Sequence, residues 1–203
     1  MPKVQQPRDI PMPFKAQMVL GILNDLKWVT RRPVKGVAAI WLIDFSPDFV
    51  ASKANDLCPY GQPGDRLWVR EAWSTHACLD KVPPRDLVYQ YVVYLADGQP
   101  RKGKYRPAMF MPRWASRIVL EVVAVRVERL QDITEAQAIA EGILRAGSGW
   151  LGYEGGPWFA SPIGAFRSLW ESIHGTDSWD ANNYVWVIEF RRLQPGPAGA
   201  SET

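Results

Sequence analysis

The stretch RIVLEVVAVRVERL, residues 117–130, gives the strongest strand signal in the chain because it is rich in β-branched residues. YVWVIEFRRL at 184–193 and RLWVREAW at 66–73 are further predicted strands. β-Branched and aromatic side chains pack well on a pleated, half-buried surface. Strands of this kind must be covered on at least one face, so we expect a β-sheet to dominate the fold.

Three helices are predicted around these strands. Val19, Ile22 and Leu23 share one helical face, and that helix is expected to end near Asp25–Leu26, before a short strand at Trp28–Arg32. Thr134 and Gln137 have the spacing of a capping box, which predicts a helix over 135–141 that stops at Gly142. Ser161–Pro162 begins a third helix, whose apolar face contains Phe166, Leu169, Trp170 and Ile173.

The order of these elements favours one α+β domain over residues 1–193. Strands and helices do not alternate as βαβ units, so a doubly wound parallel sheet is not expected. A mixed, partly closed β-barrel with about three peripheral helices fits better. Residues 34–62 and 74–113 are interpreted as long insertions, although 86–95 within the second has a strand pattern. The glycine-rich 146–156 is expected to be a surface loop and 194–203 a flexible tail.

Composition narrows the classes of protein that the chain can be. The 203 residues carry a net charge of only +3, which permits a polyanionic partner without requiring one. Cys58 and Cys78 form no disulfide framework, and neither a signal peptide nor a membrane-spanning run is recognisable, so a cytoplasmic protein is expected. The two cysteines, together with His76 and His174, match no zinc-binding signature. No metal or cofactor is therefore predicted.

Basic and aromatic residues alternate in two regions and suggest a nucleic-acid surface, since cations neutralise phosphates and aromatic rings stack on bases. From spacing alone, a solvated basic surface over core aromatics is slightly favoured. The residues are Arg31, Arg32, Lys35, Arg101, Lys102, Lys104, Arg106, Arg113 and Arg117, interleaved with Trp28, Tyr105 and Trp114.

The stretch LKWVTRRP, residues 26–33, offers a different chemistry. Lys27 and Thr30 can converge only if Lys27 lies in the turn before the strand. A threonine hydroxyl becomes a nucleophile when a neighbouring base takes its proton, and a lysine of lowered pKa can be that base. An ordinary turn lysine and strand threonine remain the simpler interpretation. Glu141, at a helix C-terminus that disfavours a carboxylate, is a candidate for proton transfer, and glutamine there is expected to keep or slightly raise stability.

Taken together, these residues resemble the ASCH domain family, whose members have a PUA-like β-barrel fold. Lys27, Thr30 and Arg32 match the family's lysine–threonine–arginine pattern, and GDRLWV from Gly64 matches a second block. ITEAQAIAEG leads to Glu141, and VWVIEF resembles the family's last strand. Residues 58–71, CPYGQPGDRLWVRE, and 112–118, within MPRWASRI, are similar to a longer, prophage-type branch.

The resemblance implies an activity like that of the small bacterial amidohydrolases that remove acetyl from N4-acetylcytidine. Thr30 would attack the acyl carbon, Lys27 would activate it, and Glu141 would shuttle protons. Trp28, Arg31, Arg32, Arg113 and Trp114 are expected to bind a modified nucleoside or nucleic acid. A non-catalytic RNA- or DNA-binding module and a ribonuclease are the alternatives. Asp25 stands where the amidohydrolases have glycine. Both insertions could cover or reshape the substrate pocket, and residues 74–113 are expected to border it and to decide substrate size.

Overall fold

The computed structural model describes residues 6–88 and 91–193, which contain five α-helices and ten β-strands. The helices are α1 (Ala16–Leu23), α2 (Val37–Trp41), α3 (Pro47–Ala51), α4 (Glu135–Ala140) and α5 (Pro162–His174). The strands are β1 (Asp9–Pro13), β2 (Val29–Pro33), β3 (Arg66–Arg70), β4 (Trp73–Ser74), β5 (Val93–Tyr94), β6 (Val119–Arg129), β7 (Leu144–Ala146), β8 (Gly149–Leu151), β9 (Trp158–Phe159) and β10 (Tyr184–Leu193). The α+β class is thus confirmed.

A five-stranded sheet in the order β1-β3-β6-β10-β2 forms the centre of the protein. β6 and β10 pair antiparallel along their whole length, with an irregularity between Glu189 and Phe190. β1 pairs parallel with β3, so the sheet is mixed, as the sequence predicted. The central strands are the three that the sequence signals most strongly, because apolar and β-branched residues pack well on a sheet that has at least one face against the core.

The sheet is open and does not close into a barrel, whereas a partly closed barrel was expected from the sequence. Both edge strands contain proline, Pro11 and Pro13 in β1 and Pro33 in β2, and a proline has no N–H to donate to another strand. Within the described residues no ladder joins β1 to β2. A side chain spans part of this gap, since Arg32 Nη2 donates to the Pro13 carbonyl at 2.8 Å.

Several elements differ from the sequence-based expectation. The predicted strand at 66–73 is broken after Arg70, and in the described part of 86–95 only Val93–Tyr94 is strand. The glycine-rich 146–156 is not a simple loop, because β7, β8 and β9 form a three-stranded antiparallel meander. Five helices replace the expected three, since α2 and α3 both fall in the 34–62 insertion. The tail at 194–203 lies outside the described residues.

Two groups of buried apolar side chains stabilise the fold. The main core fills the space between the sheet and helices α1, α4 and α5, with fully buried members such as Leu120, Val187 and Ile188. A satellite cluster consists of Trp73, Leu87, Met111 and Ala115. The 74–113 insertion therefore has a small core of its own. None of the helices in residues 6–88 and 91–193 has the length and apolar character needed to span a bilayer.

Candidate active site

The end of α4 and the turn before β2 lie side by side and bring Lys27 to Glu141. Asp25 adopts a left-handed φ of 55°, as the turn after α1 requires, and Lys27 then forms an isolated antiparallel bridge with Glu141. The Trp28 amide donates to the Ala140 carbonyl at 3.1 Å. Since α4 begins with the predicted capping box and ends at Ala140, Glu141 is held at its C-cap.

The Lys27 ammonium has an acceptor for each of its three N–H groups. Nζ donates to the Val29 carbonyl at 2.8 Å, to the Glu141 carbonyl at 2.9 Å and to Glu141 Oε2 at 2.6 Å. The residue is only 3% exposed, and burial lowers its pKa from the ordinary value of 10.5, against the raising effect of the Glu141 carboxylate. Lys27 and Glu141 are therefore a buried pair between which a proton can move at lower cost than in water.

Two glycines enclose the aliphatic part of Lys27. A methyl group on Gly21 would lie 3.3 Å from Lys27 Cβ, and one on Gly142 would lie 3.2 Å from it. Gly142 also has a φ of 91°, which side chains other than glycine rarely adopt. This close approach explains why the lysine is directed at the Glu141 carboxylate and away from solvent.

Arg31 holds the other oxygen of the same carboxylate. Its Nη1 lies 3.2 Å from Glu141 Oε1, while Nη2 donates to Glu128 Oε1 at 2.6 Å and to Gln137 Oε1 at 3.1 Å. The Glu141 carboxylate is thus fixed between two buried cations. These two charge-assisted contacts fix the orientation of the carboxylate.

Thr30 and Glu141 line the same small cavity under α5. Its other lining residues are Met18, Arg31, Arg32, Phe166, Leu169, Trp170, Ile173 and His174, and its volume is about 10 Å³. That is roughly the space for one water molecule or one oxygen atom. Lys27 does not line it and meets it only through Glu141.

A second cavity, of about 20 Å³, reaches Glu141 from the side of the β7–β8–β9 meander. Met18 and Leu169 line both cavities and lie between them. Glu141 also lines both cavities, so the carboxylate is reached from two sides. None of the residues that line either cavity belongs to 74–113. The structure therefore gives no support to the expectation that this insertion borders the site.

The remaining predicted binding residues divide between the site and other surfaces. Arg32 lines the Thr30 cavity, with its guanidinium 5.1 Å from the centre of the Phe14 ring. Trp28 is 49% exposed beside the site. Arg113 pairs with Asp9 at 2.7 Å, on the edge strand opposite β2, and Trp114 packs against Trp73 in the satellite cluster. Arg113 and Trp114 are therefore not brought together with Thr30.

Six residues of α1 and α5 that were not predicted to belong to the site line the cavity, namely Met18, Phe166, Leu169, Trp170, Ile173 and His174. Trp170 fell within the predicted apolar face of α5, and Met18 fell in α1. His174 ends α5 and lies on the Trp170 ring, with 4.1 Å between ring centres. Burial, and the nearby Arg32, Lys35 and Lys15, lower the pKa of His174. The helical period predicts such residues as core, and it does not reveal what a helix covers.

No grouping suited to a metal ion is found in the part of the chain that the structure describes. His76 Nδ1 lies 3.2 Å from Cys78 Sγ on the surface, while Cys58 is buried in the main core. The cysteines and histidines considered from sequence are thus spread over separate parts of the fold.

No family model, curated protein or solved structure matches the chain. The function is therefore proposed from the geometry of the site.

Proposed function

We propose that the chain is a metal-independent amidohydrolase of ASCH type, acting on an acylated nucleoside or base in the cytoplasm. The observation that carries the proposal is the buried Lys27–Glu141 ion pair, whose carboxylate lines the same cavity as Thr30. Buried ion pairs contribute little net stability, so a pair whose carboxylate lines a cavity together with a threonine is more readily explained by chemistry than by folding. The open mixed sheet is compatible with a PUA-like fold, and we propose that fold as well.

The proposed reaction proceeds through an ester on Thr30. The hydroxyl oxygen attacks the acyl carbon, and its proton passes to the Lys27–Glu141 pair. The pair gives this proton to the amide nitrogen as the C–N bond breaks, which releases the amine and leaves the acyl group on Thr30. Water then attacks the ester, its proton passes through the same pair to the Thr30 oxygen, and the carboxylic acid leaves.

In this scheme Lys27 holds the Glu141 carboxylate in position and places a positive charge next to it. Its three N–H groups are all engaged, so the carboxylate is the member of the pair that meets a substrate. Lowering of the Lys27 pKa by burial makes proton exchange within the pair easier. Cavities of about 10 and 20 Å³ cannot admit a nucleoside unless Met18, Leu169 or α5 moves, so we propose an opening step before the chemistry.

The direct test is a hydrolysis screen of acylated nucleosides, followed by chromatography, with the parent protein and two variants. Thr30→Ala removes the nucleophile and is expected to lower turnover about a hundredfold or more. Thr30→Ser is the matched control, because it keeps the hydroxyl and is expected to keep measurable activity. Parent-level turnover by Thr30→Ala would exclude Thr30 as the nucleophile.

A nucleic-acid-binding module is the second candidate, and the surface of the 74–113 insertion favours it. Lys102 lies 5.0 Å from the centre of the Tyr91 ring, and Tyr91 and Tyr105 are 63% and 50% exposed. Exposed rings next to cations suit a single strand. The same screen separates the two functions, since a binding module retains its ligands and turns none of them over.

A further inference from the structure

One of the residues that line the cavity with Thr30 has a buried N–H group without an acceptor among the described residues. Trp170 is 6% exposed, and its Nε1 is fully buried with no hydrogen-bond partner among the described residues. An indole N–H is a donor only, and an unpaired buried donor is unfavourable for folding. Among the residues that line this cavity, Trp170 is the one whose side chain has such an unpaired buried atom, so a ligand that enters the cavity would meet a free donor there.

The Trp170 ring is held in place by its neighbours. Phe166 packs on it with 6.1 Å between ring centres, and His174 packs on it with 4.1 Å between centres. The N–H direction is therefore fixed by ring packing, as a preorganised hydrogen-bond donor requires. All three residues belong to α5 and line the cavity that contains Thr30 and Glu141.

The size and the lining of this cavity suit the oxygen of a carbonyl group. A space of about 10 Å³ accommodates one oxygen atom next to the Thr30 side chain. When a hydroxyl attacks an acyl carbon, negative charge develops on the carbonyl oxygen, and a nearby N–H donor stabilises it. The Glu141 carboxylate cannot stabilise this oxygen, because an ionised carboxylate only accepts hydrogen bonds. The Trp170 indole N–H only donates them.

We propose that the Trp170 indole N–H binds the acyl carbonyl oxygen of the substrate and stabilises the oxyanion formed on attack by Thr30. This inference rests on the proposed amidohydrolase function, because it assigns the carbonyl-binding group of the same site. It adds a contact from α5, a helix outside the sequence blocks that contain Lys27, Thr30 and Glu141.

Trp170→Phe is the decisive variant because it removes the N–H and keeps most of the ring. Since that N–H has no protein partner, the melting temperature is expected to stay the same or rise. The assay uses an acylated nucleoside that the parent protein hydrolyses. The kcat of Trp170→Phe is expected to fall about a hundredfold, the usual effect of losing one oxyanion donor. Parent-level kcat in Trp170→Phe would overturn the proposal.

Trp73→Phe is the matched control. The Trp73 Nε1 is also buried without a partner, but the ring lies in the satellite cluster and not in the Thr30 cavity. The control is expected to keep the parent's kcat. An equal fall in both variants would overturn the proposal, because it would attribute the effect to tryptophan replacement in general.

A binding measurement separates this inference from the proposed function. In ¹⁵N-labelled protein the Trp170 indole resonance is identified by its absence from Trp170→Phe, and acetamide is then titrated as a simple carbonyl probe. We expect the Trp170 signal to move downfield to saturation while the Trp73 signal stays. A saturating shift without nucleoside hydrolysis supports the carbonyl site and rejects the amidohydrolase. An unmoved Trp170 signal in a protein that hydrolyses nucleosides rejects the carbonyl site alone.

Discussion

Glu141 is a residue whose sequence context and structural context predict opposite effects on stability. At a helix C-terminus a carboxylate is unfavourable, which led to the expectation that glutamine would keep or raise stability. In the structure Lys27 and Arg31 both donate to this carboxylate, and both are buried. The local helix effect is therefore outweighed by two charge-assisted hydrogen bonds.

Glu141→Gln is accordingly expected to lower the free energy of unfolding by about 3–5 kcal/mol, because it leaves the buried Lys27 ammonium without its counterion. Urea denaturation of parent and variant at neutral pH measures the change. Glu189→Gln is the control, since Glu189 is 41% exposed in its pair with Arg126 and such a pair contributes at most about 1 kcal/mol. Unchanged or higher stability of Glu141→Gln would show that the pair is not maintained in solution.

At the scale of single elements, close packing between α5 and the β7–β8–β9 meander depends on Gly152. A methyl group there would lie 2.5 Å from the Ala165 carbonyl oxygen and 3.1 Å from Leu169 Cβ. Leu169 lines both cavities at Glu141, so this contact also sets the position of the helix over the site. Gly152 therefore belongs to the packing of the site and not only to the turn.

Gly152→Ala is expected to reduce the free energy of unfolding by about 1–3 kcal/mol, since the added methyl group overpacks a contact with backbone. Thermal or urea denaturation of the parent and the variant measures this loss of stability. Ser148→Ala in the same meander, at an exposed position, is expected to change stability by no more than about 0.5 kcal/mol. Equal stabilities of parent and Gly152→Ala would mean that α5 and β8 are not in close contact.

Sequence patterns predicted the elements that carry a local signal. The Thr134–Gln137 capping box, α5 and β10 were predicted at or near their observed bounds, because caps and periodicity act within a few residues. The short strands β7, β8 and β9 were not predicted, since each has only two or three residues and is fixed by its partner. β5 is a short part of the predicted strand at 86–95, and β4 begins at Trp73, the last residue of the predicted strand at 66–73.

Only the family resemblance predicted that the separate candidate residues belong to one site. Lys27 and Glu141 are 114 positions apart, and no local pattern links residues at that separation. The resemblance named both residues, and the structure joins them in one ion pair. The resemblance did not indicate Trp170, because the proposed role of that residue depends on what α5 covers. It also did not indicate that two N–H groups of the Lys27 ammonium donate to backbone carbonyls.

For the whole molecule, the two hydrophobic clusters predict two levels of stability. The main core includes β6 and β10, which hold the sheet together. The satellite cluster belongs to the 74–113 insertion and contains few residues, and regions with few buried apolar contacts open at lower free energy than the core. We therefore expect the insertion to open locally while the sheet, and the site attached to it, remain folded.

Hydrogen exchange of the native protein tests this with two variants that each remove a fully buried side chain. Leu120→Ala in β6 is expected to lower the global free energy of unfolding by about 2–5 kcal/mol and to speed exchange in both β6 and β10, because it leaves a cavity in the main core on which both strands pack. Met111→Ala in the satellite cluster is expected to speed exchange within 74–113 and to leave β6 and β10 protected as in the parent. Exchange of β6 that increases as much in Met111→Ala as in Leu120→Ala would establish a single cooperative unit. In that case the insertion would be an integral part of the core, and its removal would unfold the site.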